Sequence, residues 1–250
     1  NKIENKITKN TKVILVVHFA GLPCNMKKII EISKKYNLKV IEDCAHAIES
    51  KYLNKPVGNF GYTGCYSFYS NKNITTGEGG MLTCNNKQLA EKIKIMRLHG
   101  MSRDAWKRYM PENTPKDILY QHYDIIYTGL KYNMIDINAA IGIEQLKKIN
   151  KMWERRKVLY KKYTKKLKQN SIFMQNTNEY NFKNGYHLFL FAFDHKKFKS
   201  KNIRDNFLKY LNKNKIGGGV HYRSVTSMTN YRKLFNWTNK TCPIASNIGS

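Results

Sequence analysis

The stretch from Thr11 to Asp43 constrains the fold more than any other part of the chain. The apolar run TKVILVVHF, residues 11 to 19, reads as a buried strand. After Gly21-Leu-Pro-Cys, an amphipathic stretch with Met26, Ile29, Ile30 and Ile32 on one side has the spacing of a helix. LKVIED, residues 38 to 43, returns as a strand. Strand, helix of about three turns and strand make a βαβ unit, which implies a parallel sheet with right-handed crossovers.

The rest of the chain extends this plan. CYSFY from Cys65 and GMLTC from Gly80 are two more short strands, and Lys87 to Leu98 is a further amphipathic helix. Residues 101–130 carry Pro111, Pro115 and Gly129 without clear periodicity and are expected to form an ordered loop or lid. From Ile137 to about Gln169 a long helix is expected, with Ala140, Ile143, Leu146, Ile149 and Trp153 along one face, linking two domains. Tyr186 to Phe193 as a strand, Asn202 to Leu211 as a helix and Ile216 to Tyr222 as a strand then make a small α+β domain. Residues 1–150 are thus assigned to a large α/β domain, and residues 151–250 to the linking helix and part of a smaller C-terminal domain.

Composition narrows the functional classes. The apolar fraction of 41% suffices for a core, and the longest apolar run, Val13 to Val17, is too short to span a bilayer. A soluble, cytoplasmic protein is expected. The net charge of +28 raises nucleic acid as a partner. The excess is nearly all lysine, scattered with asparagine, whereas base and phosphate recognition favours arginine's planar fork. The densest run, Lys147 to Lys168, suits a solvated helix face. No specific nucleic-acid partner is expected, and non-specific adhesion to polyanions is the better reading of the charge. Cys24, Cys44, Cys65, Cys84 and Cys242 include no CxxC pair, so no metal site is expected and the thiols are read as reduced.

The chemistry concentrates between residues 40 and 80. In an open parallel sheet, ligands sit beyond the carboxyl ends of the strands. Glu42-Asp43 lies at such an end; Asp43 is either a cap or a ligand group. Ser67 and Lys72, in SFYSNKNITTGEGG from Ser67, follow the next strand and should reach the same rim. There is no GxxxxGK[ST], and GEGGML lacks the third glycine of a GxGxxG fingerprint. A carboxylate, a hydroxyl and an amine together suit an aldehyde cofactor with a phosphate and a basic ring nitrogen. Pyridoxal phosphate has those three groups.

The segment VIEDCAHAIESKYLNKPVGNFGYTGCYSFYSNKNITTGEGGML resembles the core of the DegT/DnrJ/EryC1/StrS sugar-nucleotide aminotransferases, of aspartate-aminotransferase fold type I. HGMSRDAWKRY at 99–109, GLKYNMIDINAAIGIEQLKKI at 129–149 and GGGVHYRSV continue the resemblance along nearly the whole chain. It implies that Lys72 holds the cofactor aldehyde covalently, Asp43 pairs with the pyridine nitrogen, His46 lies near the phenolic oxygen, and Ser67 holds the phosphate. Asn133 would reach the phosphate site of the other subunit of a homodimer. His221 and Tyr222 match a segment near the sugar nucleotide, although Arg223-Ser224 departs from the proline-containing version. Arg103 is a candidate for the substrate diphosphate, with a solvated loop arginine as the alternative. A histidine such as His46 can equally serve as a hydrogen-bonded wall residue.

The implied reaction is amination of a nucleotide-linked keto-deoxy-sugar, with glutamate as donor and C4 slightly favoured over C3, in amino-sugar and polysaccharide biosynthesis. Family members carry roughly a hundred or more residues before the segment matching Thr11, so the resemblance also implies truncation at both ends. Two rivals stand beside this reading. One is a relative performing sugar dehydration, against which the presence of Lys72 speaks. The other is a non-catalytic binding protein on a truncated aminotransferase fold.

Overall fold

In the computed structural model, which describes residues 2–102, 123–167, 172–174, 181–193 and 202–249, β1 (Val13–Val17) buries Ile14 and Val16 and exposes Val13, Leu15 and Val17. That alternation is the strand period of two made visible. Helix α1 (Met26–Lys35) starts where Asn25 Oδ1 accepts from the Lys28 N–H at 3.2 Å, and carries Lys34 and Lys35 at its negative end. It buries Met26, Ile29 and Ser33, with Ile30 and Ile32 partly covered. Strand β2 (Lys39–Asp43) runs parallel to β1, with Val17 opposite Asp43. The expected βαβ unit is present. Full burial of side chains such as Met26 and Val57 contributes roughly 1.5–3 kcal/mol each.

A small antiparallel sheet follows, in which β3 (Lys51–Tyr52) lies between β4 (Lys55–Pro56) and β8 (Phe182–Lys183). Strand β5 (Thr63–Ser67) then joins β2 in parallel, with Asp43 opposite Cys65, and β6 (Gly80–Thr83) closes the order β1-β2-β5-β6. β6 is antiparallel to β5. The chain between them forms no crossover helix; Phe68 N–H donates to Gly79 O at 2.8 Å, so the chain turns back as a closed loop.

Helix α2 (Lys87–Met96) is capped by Asn86, whose Oδ1 accepts from the Leu89 N–H at 2.8 Å. Isolated bridges join Leu98 to Lys131 and Met101 to Ile125 at the two ends of the expected loop region; residues 103–122 lie outside the described ones. The long helix α3 (Asp136–Leu167) is present. Its apolar face divides: Ile143 and Leu146 are exposed, whereas Tyr160 is buried and both Trp153 and Tyr160 pack on Tyr186. The expected strand from Tyr186 shrinks to β9 (Phe191–Phe193), which pairs with β7 (Ile172–Met174). Residues 184–190 instead spend backbone groups on the Ala20-Gly21 turn, with Gly185 N–H donating to Gly21 O at 2.8 Å and His187 N–H to Ala20 O at 3.0 Å.

The chain divides into two compact units, Asn1–Asn170 with Met174–Phe191, and Ser171–Phe173 with Ala192–Ser250. Helix α3 belongs to the first. The second contains α4 (Ile203–Lys213), whose Phe207 packs edge-on against Phe193 at 5.5 Å, then α5 (Thr229–Phe235) and α6 (Pro243–Gly249). The hydroxyls of Ser224, Thr226 and Ser246 form a chain at 2.8 and 3.1 Å. Residues 216–222 form no strand and their backbone is exposed, which three consecutive glycines without packing side chains account for.

Candidate active site

The carboxyl ends of β2 and β5 place Asp43 and Ser67 on one face of the sheet, because Asp43 pairs in register with Cys65 and Ser67 lies two residues further along β5. Asp43 Oδ1 accepts from the Ala45 N–H at 3.0 Å and so caps a tight turn rather than a helix. The other carboxylate oxygen has no hydrogen-bond partner among the described residues. Ser67 Oγ accepts from the Tyr69 N–H at 3.3 Å, which leaves its own proton to donate. Lys72 sits in the turn that follows, half-buried, with its N–H donating to Tyr69 O at 3.0 Å.

Glu42, next to Asp43, faces the opposite side and does different work. Its carboxylate, fully buried, takes hydrogen bonds from His18 Nε2 at 3.0 Å and from the N–H groups of Gly58, Phe60 and Gly61 at 2.7, 2.8 and 2.6 Å. Burial pushes this carboxyl up, but the His18 hydrogen bond, the Gly58 and Gly61 amides and the electrostatic interaction with His18 outweigh it and hold it below the usual range. Cys24 N–H donates to His18 Nδ1 at 3.0 Å, so the proton facing Glu42 is on Nε2. Cys44 completes a buried trio whose ligand atoms lie within 4.8 Å of one another. Both ring nitrogens and both carboxylate oxygens are already committed to hydrogen bonds, so this trio serves as structure.

His46 is buried, and its Nδ1 accepts from the Ala20 N–H at 3.2 Å, which assigns its ring proton to Nε2. Ala20 is held in the left-handed region at φ 59° and uses both backbone groups here, its carbonyl accepting from His187 N–H. The rings of His46 and His187 lie 4.2 Å apart. Asn133 lies just before α3, whose first turn docks on the loop after Lys72: Asn138 Nδ2 donates to Glu78 O at 3.0 Å. Asn133 Oδ1 is buried without a hydrogen-bond partner among the described residues, an unmet polar group of the kind a ligand or second chain completes.

Asp43, Ser67, Lys72, His46 and Asn133 therefore all belong to the first unit. His221 and Tyr222 belong to the second, exposed, with ring centroids 4.6 Å apart. Arg103 lies outside the described residues. Sequence reasoning missed the Glu42–His18 pair and a polar cluster of Glu49, Asn73, Arg156 and His187. Asn73 was adjacent to Lys72 and could have drawn notice; nothing marked Arg156 or His187.

Comparison with known proteins adds a family. The model of the DegT/DnrJ/EryC1/StrS aminotransferase family matches residues 1–250. The spore coat polysaccharide biosynthesis protein SpsC of Bacillus subtilis is 34% identical over 247 residues, covering 98% of this chain and 61% of SpsC. Among solved structures, Helicobacter pylori PseC, an aminotransferase involved in the biosynthesis of pseudoaminic acid, has a TM-score of 0.81 at 30% identity, covering 94% of this chain and 59% of PseC. Streptococcus pneumoniae Spr1654 in its PMP form has a TM-score of 0.84 at 26% identity, covering 99% of this chain and 63% of Spr1654. The chain thus spans about 60% of the length of the proteins it matches.

Proposed function

The chain belongs to the DegT/DnrJ/EryC1/StrS aminotransferase family, and from that premise we propose that the protein uses pyridoxal phosphate to transfer an amino group to a nucleotide-linked keto-deoxy-sugar. The observation that carries this reading is the convergence of Asp43, Ser67 and the Lys72 turn at the carboxyl ends of two adjacent parallel strands. The donor set fits the cofactor: a carboxylate oxygen without a partner for a ring N–H, a hydroxyl with its proton to donate for a phosphate, and an amine for an aldehyde. Spr1654 is known in PLP and PMP forms, SpsC carries polysaccharide biosynthesis in its name, and PseC is an aminotransferase involved in the biosynthesis of pseudoaminic acid, all of which support the assignment.

When bound, pyridoxal phosphate supplies an electron sink for charge developing on the substrate carbon. The residues do the rest. Lys72 would hold the group through its amine and would move a proton at the substrate carbon as base and then acid. Asp43 would keep a proton on the ring nitrogen by charge pairing, and Ser67 would anchor the phosphate. His46, buried with its ring against His187, would lie near the phenolic oxygen of the cofactor. Asn133 serves the phosphate site of a partner in a homodimer, and Arg103, His221 and Tyr222 serve the nucleotide sugar. Glutamate as donor, C4 over C3, a cytoplasmic location, part of the large domain at 1–150 and the linking helix with part of the small domain at 151–250 complete the proposal.

Borohydride reduction of the full-length protein with cofactor, followed by peptide mapping, tests it. The pyridoxyl group is expected on Lys72. A label on another lysine, or none with cofactor in excess, sinks the assignment.

A further inference from the structure

Asn73, the residue after Lys72, spends every polar atom of its side chain on the protein interior. Its Nδ2 donates to Glu49 Oε2 at 2.7 Å and to Gly185 O at 3.0 Å, and its Oδ1 pairs with His187 Nδ1 at 2.8 Å. Because the amide nitrogen gives both its hydrogens, Oδ1 is the acceptor and His187 Nδ1 the donor. The other Glu49 oxygen takes a hydrogen bond from Arg156 Nη2 on α3, and Arg156 Nε also reaches Gly185 O at 3.4 Å. The Glu49 side chain is 2% exposed and that of Arg156 22%.

A carboxylate so enclosed costs free energy unless it is paired, and an apolar substitute of equal volume is often as stable. A buried ion pair is therefore poor support for stability and better support for geometry. Here the geometry is that of the lysine turn. Tyr69, Ser70 and Asn71 are exposed, so the turn has little packing of its own. Asn73 ties its trailing end to Glu49, and through Glu49 to the long helix. The same amide holds His187, whose ring lies against His46.

We infer that Glu49 and Asn73 are positioning residues that fix the turn carrying Lys72, so that its amine is presented to an aldehyde while the remainder of the site binds independently of them. The inference rests on the function proposed above. In the step concerned the Lys72 amine adds to the aldehyde carbon and one water leaves, so the bond depends on where the amine stands. A displacement of about 1 Å at a reacting group can cost roughly 100-fold.

The test compares two ligands in the full-length protein. Pyridoxal phosphate has the aldehyde; pyridoxamine phosphate has the same ring and phosphate but cannot bond to Lys72. In Asn73→Ala and in Glu49→Gln, affinity for pyridoxal phosphate is expected to fall about tenfold and that for pyridoxamine phosphate by less than about twofold. The double variant should be no weaker than the weaker single one, because both act through one contact. Faster amide exchange over residues 69–76 of the apoprotein is expected alongside. Should Asn73→Ala fail to fold, Glu49→Gln, which keeps shape and volume, carries the same comparison. Parallel weakening of both ligands, or unchanged pyridoxal phosphate affinity in a folded variant, overturns the inference alone. Wild-type protein unlabelled at Lys72 by borohydride overturns the proposed function and this inference together.

Discussion

His18 Nε2 donates to Glu42 Oε2 at 3.0 Å, with both side chains wholly shielded from solvent. Glu42 sits one residue from Asp43 in sequence but on the other face of the sheet, so the pair supports the site without reaching it. Glu42 also gathers the N–H groups of Gly58, Phe60 and Gly61, which fixes the loop entering β5.

This arrangement sets an acid limit. The folded state holds the Glu42 carboxyl below its ordinary value of 4.5, so the ionised form is the one that folding favours. Its contribution is complete above that ordinary value and is lost as pH falls through the lower folded value. Glu42→Gln turns an NH₂ toward N–H donors and should lose about 2–4 kcal/mol at neutral pH. Thermal melts from neutral pH to about pH 3 should show a shallower acid loss in the variant than in wild type.

The thiols should separate by reactivity. Cys242 is exposed, whereas Cys44 is buried and its thiol is pushed up by burial and then by Glu42 and Asp43. Burial, with Glu42 adding to it, pushes the Cys24 thiol up to about 11. Near pH 8 only about a thousandth of Cys24 is thiolate. A thiol reagent on native protein is expected to label Cys242 first and Cys44 only on unfolding; early labelling of Cys44 contradicts the packing described here.

Asp43→Asn separates a ring partner from a turn cap. The amide oxygen can still accept from Ala45 N–H, so the fold should persist. It cannot hold a proton on the ring nitrogen by charge, so the half-reaction with amino donor should fall by about 100-fold or more in stopped-flow absorbance. Turnover near wild type reduces Asp43 to its capping role.

Asn133 connects cofactor and assembly. If its amide completes a site shared by two chains, cofactor binding must favour the dimer. Sedimentation velocity of the full-length protein should show a shift toward dimer on adding pyridoxal phosphate, and Asn133→Ala should weaken both by about 1–3 kcal/mol. A monomer that binds cofactor normally refutes the shared site.

Local order along the chain was enough to determine much of this protein. The βαβ unit follows from apolar spacing, and Asp43, Ser67 and Lys72 fall within one continuous stretch around two strand ends. What such spacing leaves open is direction and partnership. The loop between β5 and β6 carries no helix, yet only the pairing of β6 along β5, from Ser67 opposite Gly80 to Gly64 opposite Thr83, makes β6 antiparallel. Which of Glu42 and Asp43 faces the core depends on the pairing register of β2, where a shift of one residue exchanges their sides. Asn73, Glu49, Arg156 and His187 come from four separate segments, and each is an ordinary polar residue in its own surroundings. Only folding removes water from them, and that loss of solvent turns four unremarkable side chains into one hydrogen-bonded mount for the lysine turn.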